Sequence, residues 1–147
     1  MRKKPVLLTV TGVAMHRGEE DDAMRLTTVG TLSGSRNKWK LKYEERQSDS
    51  DEKHQITMTL DDGIVTMRRD GTYGTNMVFQ KGRRYESSYR TPFGTFDMGI
   101  FPSRVDYYVN EGGQGEISLK YQLDIQGQFT SVHHLRIDFA ASQHDAV

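Results

Sequence analysis

A chain of 147 residues is long enough for a single domain, 1–147, to bury a core without a metal or a disulfide to staple it. The absence of cysteine excludes a disulfide framework, thiolate catalysis and cysteine-ligated zinc or iron–sulfur sites, and it fits a reducing, cytoplasmic setting. With 20 Lys and Arg against 20 Asp and Glu there is no net positive field, so no nucleic-acid partner is expected, and at a mean hydropathy of −0.71 no stretch approaches the roughly 20 apolar residues of a membrane helix.

Met1-Arg2-Lys3-Lys4 followed by Val6-Leu7-Leu8 has the outline of a secretory leader, but Thr9, Thr11 and Gly12 interrupt the apolar run and no small-residue cleavage site follows. The segment reads instead as a first strand with Val6, Leu8 and Val10 on one face. Glu19 to Asp22 is an acidic hairpin tip without the ligand spacing of a calcium loop. Leu26, Thr28, Gly30 and Leu32 mark a second strand. Trp39, Leu41 and Tyr43 alternate with lysines on a third, the clearest two-residue period in the chain. After a polar loop from Gln47 to Lys53, which also holds His54 at its edge, Ile56, Met58 and Leu60 form a fourth strand that Asp61-Asp62-Gly63 turns into a fifth, Ile64 to Arg69.

Asp70-Gly71 predicts a tight hairpin into a sixth strand, Thr72 to Phe79. Lys81-Gly82 turns again, and Tyr85, Ser87 and Tyr89 share a face of a seventh strand that ends at Thr91-Pro92. Phe93 to Val109 is strand-like but disturbed by Gly99 and Pro102, which predicts one long strand with a bulge or two shorter ones. Beyond the glycine-rich loop Asn110 to Gly115, one strand carries Ile117, Leu119, Tyr121, Leu123 and Ile125. Another carries Phe129, Ser131, His133, Leu135, Ile137 and Phe139 in one phase.

Consecutive hairpins of about eight to ten strands predict an all-β fold, a closed antiparallel barrel in mainly up-and-down order, because closure removes exposed edges. The opening Val6-Leu7-Leu8-Thr9-Val10-Thr11-Gly12, the Thr91-Pro92-Phe93-Gly94 segment, and the closing Ile117-Ser118-Leu119-Lys120-Tyr121-Gln122-Leu123 and Leu135-Arg136-Ile137 strands resemble the YwiB-like family of Gram-positive bacteria. The resemblance covers nearly the whole chain. It implies a lipocalin-like (calycin) barrel of unknown function and brings no catalytic residue with it.

Following the alternation inward gives Trp39, Tyr43, Tyr85, Ser87, Tyr89, Tyr121 and His133 as candidate ligand-binding residues, with Ser131 beside them. Polar tips on an apolar face orient a guest in a pocket, although the same rings also serve simply to pack a core. His133 lies among apolar neighbours, where it is either a hydrogen-bonded core residue or an acid/base group. His134 faces the other way, so the pair is no chelate; His16, His54 and His144 have no ligand spacing. No dinucleotide, phosphate-loop, zinc-protease or serine-hydrolase motif occurs. Neither a cofactor, a metal nor a catalytic set is expected from these residues. Three functions fit them: a barrel binding a small, partly apolar ligand, a filled barrel that acts as a protein-interaction module, and an enzyme using His133 in its cavity.

Overall fold

An alternating apolar and polar sequence turns every second side chain of an extended segment to one side, so strands of this kind gain most when that side is enclosed. The computed structural model describes residues 3–16, 19–20, 23–46 and 52–141. They form β1 (Lys4–His16), β2 (Glu19–Glu20), β3 (Met24–Ser35), β4 (Lys38–Arg46), β5 (Lys53–Asp61) and β6 (Ile64–Asp70). The second half forms β7 (Gly74–Phe79), β8 (Tyr85–Thr91), β9 (Gly94–Val109), β10 (Gly115–Ile125) and β11 (Gln128–Ala141). Asp21 and Asp22 of the acidic tip, loop residues 47–51, and His144 lie outside the described residues.

Each long strand pairs antiparallel with the next in the chain, and β11 returns to pair with β1 from Val6–Ala141 to Met15–Val132. The result is a closed ring of ten strands, with β2 a short addition on Met15 and His16. The expected all-β, closed, up-and-down barrel is therefore the fold observed. Two of its hairpins are two-residue turns with both central residues at positive φ, Asp62 (53°) with Gly63 (78°) and Gln126 (53°) with Gly127 (77°), the twist that antiparallel strands favour.

Three local expectations are corrected. β7 begins at Gly74 rather than Thr72, because the Tyr73 N–H donates to His54 Nε2 (3.3 Å) and takes residues 71–73 out of the ladder. His54 itself is not a loop residue: it sits in β5 in phase with Ile56 and is 2% exposed. Gly71, at φ +146°, leaves room for its ring, since a Cβ there would lie 2.7 Å from His54 Cδ2. Phe129 is not in phase with Ser131 and His133. The β10–β11 register runs Leu123–Ser131 and then Asp124–Phe129, so Thr130 is an extra residue that turns Phe129 outward, 57% exposed.

β9 is one strand with a bulge. Its register against β10 steps from Lys120–Arg104 to Tyr121–Pro102, leaving Ser103 unpaired beside a proline that has no N–H to offer.

The barrel is filled unequally along its axis. At the end formed by the β3–β4, β5–β6 and β9–β10 turns, Leu41, Leu60, Val65, Phe79, Ile100 and Ile117 are wholly buried and meet across the lumen. The Gly63 N–H donates to the Tyr107 hydroxyl (2.9 Å), tying the β5–β6 turn to β9 over that end.

Candidate functional site

The other half of the barrel keeps a cavity of about 390 Å³, within the range of small-ligand pockets. Its floor is aromatic. Phe79 meets Tyr121 at 4.9 Å between ring centres, and the His133 imidazole stacks with Tyr121 at 5.2 Å with planes 9° apart. Tyr121 and His133 are direct cross-strand partners, so this stack follows from the β10–β11 register. Met67, Met77 and Met98 supply polarizable, adaptable wall, and Leu123 and Ile125 extend it along β10.

The polar groups sit on that apolar background. Tyr43 and Tyr89 line the cavity with Tyr121 and His133, and Thr75 adds a hydroxyl. Burial raises the Tyr121 phenol to about 12, and burial, with Glu45 next in effect, raises Tyr43 further. Both remain protonated at physiological pH and present O–H groups. Ser131 Oγ lies 2.6 Å from His133 Nε2. That spacing suits a nucleophile and its base, but Ser131 is 1% exposed and does not line the cavity, so the contact fixes the imidazole rather than presenting a serine to a substrate.

An opposed pair of charges also faces this cavity. Arg69 Nη2 lies 3.5 Å from Glu45 Oε1, and both side chains line it. Arg69 Nε is shielded from solvent and has no hydrogen-bond acceptor among the described residues. The alternation carries both residues inward: Arg69 follows Val65 and Met67 on β6, and Glu45 follows Leu41 and Tyr43 on β4. Separating Arg68 from Arg69 by strand phase already places one of them inside. The phase of Val65 and Met67 is the signal that picks Arg69.

Four sequence candidates, Tyr43, Tyr89, Tyr121 and His133, thus come together. Three do not join them. Trp39 lies toward the filled end, in a groove shared with Asp61, Asp62 and Tyr107. Tyr85 packs against the core, and Ser87 lines a separate groove outside the β7–β8 seam. His134, expected to face away, is exposed yet also borders the cavity; desolvation, then Lys120 and Arg104, lowers its pKa. Among the described residues no group of three His, Asp or Glu side chains is placed to hold a metal, and no helix is long and apolar enough to cross a membrane.

No curated protein matches this sequence. A solved structure, titled the crystal structure of ywiB protein from Bacillus subtilis, superposes with a TM-score of 0.82 at 22% identity, covering 95% of this chain and 93% of that one. At that identity the likeness shows the barrel and nothing about activity. Residues 8–137 match the family described as Domain of unknown function (DUF1934), and the chain belongs to that family.

Proposed function

We propose that the barrel binds a small, partly apolar molecule in its unfilled half. The observation that carries this is the uneven filling itself: one half is occupied by wholly buried apolar side chains, while the other keeps about 390 Å³ bordered by methionines, three tyrosines and two histidines. Methionine and leucine surface favours an apolar body, and protonated tyrosine hydroxyls with the Arg69 guanidinium favour hydrogen-bond acceptors on the same molecule. Binding is favoured over catalysis because Ser131, hydrogen-bonded to His133, is buried away from the cavity. The lack of cysteine supports a cytoplasmic site of action.

Native mass spectrometry of the protein from its own cells tests this. A bound species of a few hundred daltons is expected, released on denaturation and absent from a folded Leu123→Trp variant whose indole occupies the cavity. Wild-type protein carrying no such species, and showing no stabilisation by any member of a small-molecule library, contradicts the proposal.

A further inference from the structure

The barrel wall is weakest between β7 and β8, where only Gly74–Arg90 and Thr75–Tyr89 pair in the ladder. Past Thr75 the two strands part, and the Thr75 hydroxyl donates to the Ser88 carbonyl at 3.2 Å. A groove of about 510 Å³ lies on the outer side of this seam. Arg69 and Thr75 line both the groove and the inner cavity, so they form the partition between the two.

The groove is cationic. Arg68, Arg69 and Arg90 line it with one carboxylate, Asp70, which Arg68 engages at 3.1 Å. Arg90 lays its guanidinium over Gly74, where any Cβ would run into it, so the glycine lets this cation rest against the seam. Behind it, Arg69 Nη2 forms an ion pair with Glu45 Oε1 at 3.5 Å, and its Nε is shielded from water with no acceptor among the described residues. A guanidinium presents its donors as a planar fork, and two partly exposed forks on one groove, Arg69 and Arg90, are matched by a planar or tetrahedral oxyanion. Asn76, Ser87 and Ser88 add donors around the same space.

We propose that the seam holds the oxyanion head of the ligand, a phosphate or carboxylate between Arg69 and Arg90, while its apolar remainder occupies the inner cavity. This rests on the cavity being a binding site and specifies the class of its ligand as an acidic amphiphile. Arg69 supplies the inner edge of the contact and Arg90 the outer one. The ion pair with Glu45 holds Arg69 in place when the site is empty.

Calorimetric titration with octyl phosphate, octanoate and octanol, three probes sharing one alkyl chain, separates the parts of the claim. At least one anionic probe is expected to bind at least about tenfold more tightly than octanol, as charge-assisted hydrogen bonds imply. Preference for octyl phosphate or for octanoate then names the head group. Arg90→Gln, at the surface, and Arg69→Lys, which keeps the charge beside Glu45 but loses the fork, are each expected to weaken the anionic probe about tenfold and leave octanol unchanged. Equal binding of octanol and both anions, or anion binding unaltered in both variants, overturns the oxyanion site while leaving the cavity reading standing. Failure of all three probes to bind overturns both.

Discussion

Leu41 and Lys40 are neighbours in sequence and opposite in fate: Leu41 is wholly buried in the lumen, and Lys40 stands on the outer face. Leu41→Ala should lower unfolding free energy by about 2–5 kcal/mol, and Lys40→Ala should change it by less than about 0.5 kcal/mol, as read from denaturant midpoints. Similar effects from both would place the face wrongly. On the outer wall, Arg84 grips Asp124 through two hydrogen bonds, 2.7 and 2.9 Å, across Gly99, where a Cβ would strike the guanidinium. The hydrogen bond from Arg84 holds the Asp124 carboxyl below its usual range. A carboxylate whose pKa falls on folding stabilises above its unfolded value, near pH 3.9, and loses that contribution as pH drops through the lower folded value. Asp124→Asn should therefore be less stable than wild type at pH 7, with the gap closing toward pH 2. A gap independent of pH would show that the ion pair adds nothing.

At the scale of strands, the β7–β8 seam differs from the rest of the wall. The β5–β6 ladder pairs continuously from Gln55–Asp70 to Asp61–Ile64, whereas β7 and β8 pair only at Gly74–Arg90 and Thr75–Tyr89. Amides on the seam edges of residues 76–79 and 85–88 that lack a ladder partner should exchange with deuterium well before those of Thr57, Met58 and Thr59. Uniform protection around the ring would contradict an opening there. Strands as units were largely legible in the sequence, because a period of two survives on nearly every one of them. What the period does not carry is a change of phase. The extra residue at Thr130 reverses Phe129, and nothing in Gln128-Phe129-Thr130-Ser131 announces it. His54 was obscured in a similar way, since the polar residues before it read as loop while the pairing Glu45–His54 continues the ladder past them.

For the molecule as a whole, closure follows from the count of hairpins, but the distribution of volume inside does not. Tyr85, Tyr89 and Trp39 all point inward by alternation, yet Tyr89 borders the cavity while Tyr85 and Trp39 do not. Their height along a tilted barrel decides this, and height depends on the register of ten strands taken together. The alternation turns Arg69 and Glu45 inward as well, but a charged residue at the end of a strand reads as solvated until its neighbours around the ring are known. The proposal that the less filled half of the lumen holds a ligand makes a direct demand on what that space contains. High-resolution electron density of protein purified from its own cells tests it most directly. Continuous non-water density bounded by Met77, Tyr89, Tyr121 and His133, with an oxyanion-shaped end at Arg69, is the expected result. A lumen filled by side chains from end to end, or one holding only isolated waters, would contradict it.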